Sequence, residues 1–339
     1  MENNNRNSII PVGSTNLVRV NNSITITYKL LYGDIEDLFN KAFCLLNSKR
    51  IEKCDKNYLL LFETDPNHRK DAKYDYVAKH KDDYKQALDM FSMIINMKPR
   101  HVLSFEMVAI CKQKLGNYYE AIEDCSKILE FNSKHASAYN LRGNAKSAIK
   151  DYEGAIEDYS KAIEIDSKYA FPYNNRGIVK HRLKDYDGAI EDYSKAIEID
   201  SKYAFPYNNR GKTKCDLKDY QGAIEDCSKA IELSPEYASA YNWRGYAKRT
   251  IKDNKGAIED FSKVLEIKPE YDNGYKDRGD AKLSLSDYEG AIEDYSITID
   301  LNPKHTSAYF SRGVVKKIIG DNEGAELDKL KYEELSKNK

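Results

Sequence analysis

Apolar and small residues recur along most of the chain at intervals of three and four positions. The stretch 170–203 shows this pattern twice. Its first run contains Tyr173, Gly177, Lys180 and Leu183, and its second contains Tyr186, Ala189, Ile190, Tyr193, Ala196 and Ile197. The spacing places each run on one face of a helix and predicts two helices, A and B. Only the polar pair Lys184-Asp185 separates the runs, so we expect A and B to be antiparallel neighbours.

The whole pattern repeats every 34 residues. A tyrosine with Arg-Gly three and four positions after it recurs at Tyr139, Tyr173, Tyr207, Tyr241, Tyr275 and Tyr309. A single helical hairpin cannot bury its apolar face alone, whereas stacked copies bury a continuous core. The period therefore predicts an all-α solenoid of helix-turn-helix units.

The repeat also divides the chain into regions. We predict six regular units in 102–305, namely 102–135, 136–169, 170–203, 204–237, 238–271 and 272–305. A seventh unit, 306–339, ends in a highly charged helix that is typical of a solenoid cap. Divergent units are predicted in 34–101. Residues 1–33 contain no repeat, and their alternating segment LVRVNNSITITY predicts either a short hairpin or a disordered extension.

The residues that recur from unit to unit match the pattern of a known family. In 170–203 they are Tyr173 at the fourth position, Gly177 at the eighth, Tyr186 at the seventeenth, Ala189 at the twentieth, Tyr193 at the twenty-fourth and Ala196 at the twenty-seventh. This pattern resembles the tetratricopeptide repeat family. The resemblance implies a right-handed α-solenoid, or superhelix, whose A helices line a concave groove that binds peptides.

The chain departs from the family pattern at the seventh and eleventh positions, where Arg176 and Lys180 replace apolar residues. Two cations four residues apart on a helix repel each other unless an acidic group lies near them. We therefore predict an internal ion-pair ladder with Asp192 or Asp158. The alternative is a basic stripe that binds an acidic ligand. On the B helices, the glutamates at 157, 191, 225 and 259 are expected to pair with lysines four residues later.

The resemblance also indicates which side chains face the groove. They are Asn140, Asn144, Asn174, Asn175, Asn208, Asn209, Lys212, Asn242, Trp243, Tyr246, Arg249 and Lys276. An amide side chain both donates and accepts, so a row of asparagines is able to pair with the backbone of an extended polypeptide. The other interpretation is that asparagine merely suits a solvated helix surface.

Known members of the family that hold a C-terminal carboxylate use lysine and arginine at fixed positions of successive units. Here Asn140, Phe205 and Asn209 occupy three of those positions. The sequence therefore disfavours a carboxylate clamp.

Composition argues against several other classes of function. Lys and Arg total 54 against 55 Asp and Glu, so the net charge of −1 predicts neither a nucleic-acid nor a lipid-surface partner. No apolar stretch is long enough for a membrane span. The six cysteines form no C-x-x-C pair, which disfavours both a disulfide framework and a metal site. Catalytic and nucleotide-binding motifs are absent from the sequence, so we expect no enzyme activity and no cofactor.

The sequence thus predicts a protein-interaction scaffold that binds an extended segment of a partner protein. A structural role, in which the N-terminal arm or the outer face mediates self-assembly into a homo-oligomer, is the alternative. We expect a cytoplasmic location, because no secretory signal is recognisable. The abundance of Lys, Asn, Ile and Tyr is typical of proteins from protists or their viruses.

Overall fold

The structure is a computed structural model that describes residues 16–20, 23–27, 42 and 81–337. The predicted opening of a divergent unit in 34–67 therefore lies outside the described residues, apart from Ala42. Contacts within the chain divide it into two units, Met1–Asp166 and Ser167–Lys339.

The first unit contains two strands and five of the described helices. The strands β1 (Asn16–Val20) and β2 (Ser23–Thr27) pair antiparallel, with Asn16 opposite Thr27 and Val20 opposite Ser23. The helices are α1 (Lys81–Met97), α2 (Val102–Leu115), α3 (Tyr118–Phe131), α4 (Ala136–Ala148) and α5 (Tyr152–Ile165). Ala42 is helical and fully buried in a core cluster with Tyr84, Phe91 and Met107.

The second unit is helical throughout its described part. Its helices are α6 (Ala170–Arg182), α7 (Tyr186–Ile199), α8 (Ala204–Asp216), α9 (Tyr220–Leu233), α10 (Ala238–Thr250), α11 (Asn254–Ile267), α12 (Asp272–Ser284), α13 (Tyr288–Leu301), α14 (Thr306–Ile318) and α15 (Asn322–Lys337). From α2 onwards, the starts of alternate helices are 34 residues apart. The predicted all-α solenoid of helix-turn-helix repeats is confirmed.

The ends of the helices follow from local chemistry. Each B helix from α5 to α13 begins at an aspartate that accepts a hydrogen bond from a backbone N–H three residues later, as Asp185 does from Gly188 at 3.0 Å. Two residues after the end of the preceding A helix, the backbone has a positive φ. In the middle copies that residue is lysine, as at Lys184 with φ of 65°, a conformation that favours glycine.

The seam between A and B is built from small residues that face aromatic ones. Gly177 lies against Tyr193, and a Cβ atom built on Gly177 would stand 2.7 Å from Cε1 of that ring. Ala189 and Tyr193 are both almost completely buried. Gly177 therefore stands where the two helices approach too closely for a side chain.

The predicted pairing along the B helices is wrong. Lys161, Lys195, Lys229 and Lys263 pair instead with the glutamate three residues later, as in the 2.7 Å contact of Lys229 with Glu232. Residues three apart are also neighbours on a helix, so each lysine has a glutamate within reach on either side along the helix. These pairs lie on the exposed surface and contribute little to stability.

Candidate functional site

The predicted site residues all lie on A helices. Asn140 and Asn144 lie on α4 in the first unit. In the second unit, α6 carries Asn174 and Asn175, α8 carries Asn208, Asn209 and Lys212, α10 carries Asn242, Trp243, Tyr246 and Arg249, and α12 carries Lys276.

Four of these asparagines in the second unit bond to one another. Asn208 Nδ2 donates to Asn209 Oδ1 at 3.3 Å, and Asn209 Nδ2 donates to Asn174 Oδ1 at 3.0 Å. Asn174 Nδ2 then donates to Asn175 Oδ1 at 3.2 Å. We call these four side chains the amide chain. Sequence reasoning placed them on one face but did not predict that they bond to each other, since the contact crosses from α8 to α6.

Burial separates the asparagines into two groups. Asn140, Asn174 and Asn208, at the fifth position of their units, expose 5%, 3% and 3% of their surface. Asn175 and Asn209 are only half-buried. Asn144 is also half-buried, and its Oδ1 accepts a hydrogen bond from the hydroxyl of Tyr159 at 2.9 Å. A ligand on this face therefore meets Asn175 and Asn209 before the buried members of the amide chain.

The amide chain ends at α8. Asn208 Oδ1 and Asn242 Oδ1 are both buried and accept no hydrogen bond from any described residue. A buried acceptor without a partner is costly, so such atoms concentrate where a fold serves something besides stability.

Next to this end lies a group of aromatic and basic side chains, which we call the Trp243 cluster: Lys212, Trp243, Tyr246 and Arg249. The Lys212 ammonium lies 5.5 Å from the centre of the indole ring, and the Arg249 guanidinium lies 5.9 Å from the centre of the Tyr246 ring. The two rings meet edge to face with their centres 6.0 Å apart. Stacking of cations on rings holds all four side chains in one surface layer.

Arg249 and Lys276 are neutralised by carboxylates that sequence reasoning missed. Arg249 Nη1 lies 2.5 Å from Asp280 Oδ2, and Lys276 Nζ lies 2.7 Å from the same oxygen. Asp277 lies near both cations. Burial raises the pKa of Asp277 above its ordinary value, although Arg249 and Lys276 lower it in part. Asp277 therefore binds a proton more readily in the folded state than in the unfolded chain.

The predicted internal ion-pair ladder is confirmed. Arg176 Nη2 lies 2.7 Å from Asp192 Oδ1, and Lys180 Nζ lies 2.9 Å from Asp192 Oδ2. The same triad of arginine, lysine and buried aspartate recurs in each hairpin from α4–α5 to α14–α15. These cations are directed at aspartates of the B helix, so they do not form a basic stripe for an acidic ligand.

A row of rings runs along the N-terminal ends of α6, α8 and α10. Successive centres are 5.7 Å apart from Tyr169 to Phe171, 4.9 Å to Tyr203, 5.7 Å to Phe205 and 5.1 Å to Tyr237. Phe205 is 46% exposed. The row therefore offers apolar contact area on the edge of the A-helix face.

A cleft of about 700 Å³ lies near the C-terminal end of the described chain. Asp272, Asn302, His305, Phe310 and Tyr332 are among the residues that line it. No sequence pattern indicates this cleft, since its walls come from α12, α14, α15 and the turn after α13.

Reactive chemistry is not evident in the described part of the chain. Burial raises the pKa of the Cys111 and Cys215 thiols to about 12, and it raises the pKa of Cys125 and Cys227 as well. Such thiols are poor nucleophiles. Among the described residues, no group of histidine, cysteine or acidic side chains is arranged to hold a metal ion. None of the described helices has the length and apolar character of a membrane span.

Comparison with protein families supports the repeat pattern. Models of the tetratricopeptide repeat match residues 170–203, 204–237, 238–271 and 276–331, and a model of the TPR repeat matches 144–184. These matches together span more than half of the 339 residues. No curated protein sequence matches the chain.

Solved structures with similar folds include three at low sequence identity. Cut9–Hcn1, a hetero-tetramer of the APC/C, is 17% identical, with 88% of this chain and 60% of that chain covered and a TM-score of 0.58. PilF of Pseudomonas aeruginosa is 22% identical, with 60% and 97% covered and a TM-score of 0.53. A tetratricopeptide repeat protein from Parabacteroides merdae is 18% identical, with 77% and 99% covered and a TM-score of 0.51. At these identities the similarity shows the fold alone.

Proposed function

The chain belongs to the tetratricopeptide repeat family, and on that premise we propose that it binds an extended segment of a partner protein along its A-helix face. Repeats of this family generally serve as non-enzymatic scaffolds for protein interaction. The extended form of the ligand and the residues that hold it go beyond what family membership gives.

The amide chain is the observation that supports an extended ligand. Asn175 and Asn209 are half-buried and lie at the same position of successive units, and both are held by Asn174: Asn175 Oδ1 accepts a hydrogen bond from it, and Asn209 Nδ2 donates one to it. An extended polypeptide presents backbone C=O and N–H groups at regular intervals. Amides held in place by their neighbours are pre-organised for such groups, so less entropy is lost on binding.

The proposal is tested with labelled peptide pools. Twelve-residue pools of random sequence, acetylated and amidated at their ends, are titrated with the full chain, and fluorescence anisotropy reports binding. The double variant Asn175→Ala, Asn209→Ala should weaken binding by about tenfold, since two hydrogen bonds of about 0.5–1.5 kcal/mol each are lost. Lys229→Ala, on the exposed B-helix surface, is the control. Equal affinity of the double variant and the wild type would refute the proposed site.

Self-assembly is the second candidate, and one observation favours it, although it concerns the A-helix face of the last hairpin and not the N-terminal arm or outer face expected from the sequence. Phe310, Val314 and Ile318 lie on one face of α14 and are 55%, 40% and 53% exposed. Exposed apolar residues in a row are typical of contact surfaces. Light scattering measures the molar mass of the wild type and of the double variant Phe310→Ser, Ile318→Ser. A scaffold that does not self-assemble has the same molar mass in both, whereas a self-assembling chain has a lower molar mass in the variant.

A further inference from the structure

The buried acceptors on α8 and α10 mark a break in an otherwise regular arrangement. Asn174 Oδ1, at the fifth position of its unit, accepts a hydrogen bond from Asn209 Nδ2, at the sixth position of the next unit. Asn208 occupies the equivalent fifth position one unit later, and Trp243 stands at the sixth position that follows it. The indole thus replaces the amide donor, and Asn208 Oδ1 has no partner among the described residues.

This part of α8 also differs in charge from the equivalent part of α6 in the preceding repeat. The two copies share the segment AFPYNNRG, after which Ile178 in the first becomes Lys212 in the second. Lys212 lies four residues after Asn208 and therefore on the same face of α8. No described carboxylate forms an ion pair with Lys212, whereas Asp280 neutralises both Arg249 and Lys276. Lys212 is the uncompensated cation of the Trp243 cluster.

A ligand that fits this place must supply two things. The Lys212 ammonium requires an anion, for which a carboxylate is the group that polypeptides carry. Asn208 Oδ1 requires an N–H donor, which an extended backbone provides next to every side chain. Trp243 and Tyr246 add a flat apolar surface for the stem of that side chain. A cationic side chain is excluded, because it would be repelled by Lys212.

We infer that Lys212, Trp243 and the carbonyl oxygen of Asn208 form a subsite that selects an acidic side chain within the extended ligand. The inference rests on the proposed function and adds to it the class of residue that the ligand carries. Lys212 binds the carboxylate, and Asn208 Oδ1 accepts the backbone N–H of the same or the adjacent ligand residue. Because this oxygen is buried, the inference requires the side chains that cover it to shift when the ligand binds.

The chain contains a single tryptophan, so its own fluorescence reports on the subsite. Three peptide pools are compared, each twelve residues long, acetylated and amidated, with Glu, Gln or Lys fixed at the centre of a random sequence. The wild type should bind the Glu pool about threefold to fivefold more tightly than the Gln pool, and the Lys pool most weakly. The Glu pool should also shift the emission of Trp243.

Lys212→Ile, which restores the residue of the preceding copy, should remove the preference for Glu while the Gln pool binds as before. Lys229→Ile removes a lysine from the exposed face of α9 in the same repeat and should retain the preference. A circular dichroism melt verifies that both variants fold. Equal binding of the Glu and Gln pools by the wild type, or a preference that survives Lys212→Ile, would overturn the subsite while leaving the proposed function intact. Binding of no pool by the wild type would overturn both.

Discussion

Arg210 ties two hairpins together, and its replacement by alanine gives a direct measure of how the repeats are held. Arg210 Nε and Nη2 donate to the two oxygens of Asp226 at 2.9 and 2.6 Å. Arg210 Nη1 donates to Ser194 Oγ, on the B helix of the preceding hairpin, at 2.9 Å. Asp226 is 5% exposed and keeps one other cation, Lys214, at 2.9 Å.

The expected loss follows from these contacts. Removing one member of a buried ion pair costs about 3–5 kcal/mol, because the remaining charge stays buried. Lys214 still neutralises part of the Asp226 charge, so the lower end applies, and we expect Arg210→Ala to reduce the free energy of unfolding by about 3 kcal/mol. Ser194→Ala removes the bond from Arg210 and the bond that Ser194 Oγ donates to Ile190 O within α7 at 2.7 Å. It should cost about 1 kcal/mol, since the freed N–H of the half-buried arginine reaches water.

Urea denaturation of the full chain, followed by circular dichroism and by Trp243 fluorescence, measures both losses. The double variant Arg210→Ala, Ser194→Ala should lose less stability than the sum of the two single variants, because the bond between serine and arginine no longer exists once the arginine is gone and only the bond to Ile190 O remains to be lost. An Arg210→Ala variant within 0.5 kcal/mol of the wild type would refute the reasoning. So would fully additive losses, since these would show that the serine does not act through Arg210.

Three further substitutions test other contacts in the same denaturation assay. Asp277→Asn should stabilise the fold by about 1 kcal/mol at pH 7.5, because an asparagine 35 residues after Asn242 would be placed as Asn209 is relative to Asn174 and would supply the donor that Asn242 Oδ1 lacks. The raised pKa of Asp277 means that ionisation of this group costs stability as pH rises, so the gain should shrink toward pH 4; a gain that grows on acidification would contradict this. Gly177→Ala should cost about 1–3 kcal/mol, as the added Cβ meets the Tyr193 ring, and an unchanged midpoint would show that the ring moves freely. Lys184→Gly should stabilise by up to about 1 kcal/mol by relieving the positive φ, and a loss would show that the lysine side chain contributes instead.

The sequence predicted the parts of this fold that depend on spacing along a single helix. The intervals of Tyr173 and Gly177 on A and of Tyr186 and Ala189 on B place them on one face of each helix, since an α-helix has a fixed turn. The pairing of Arg176 with Asp192 was also predictable. Two adjacent cations in a half-buried seam need an anion, and Asp192 was a nearby candidate in the facing helix.

Contacts that depend on how one copy packs on the next were harder to predict. The amide chain and the carboxylates around Arg249 fall in this class, because they join residues about one repeat apart. Asn174 and Asn209 are separated by 35 residues rather than by the 34 of the period. Comparing residues 34 positions apart pairs Asn174 with Asn208 and misses Asn209, which is the residue that bonds to Asn174.

The offset of 35 residues explains which buried side chains of the A helices lack a hydrogen bond. Three buried side-chain oxygens accept no hydrogen bond from the described residues, and they belong to Glu106, Asn208 and Asn242. The residues 35 positions later are Leu141, Trp243 and Asp277. None of these is asparagine, whereas Asn174, which has Asn209 at that distance, is satisfied. A single substitution at the sixth position of a unit therefore changes the hydrogen bonding of the unit before it. In a chain of near-identical repeats, such a substitution gives one repeat a binding chemistry that the others lack.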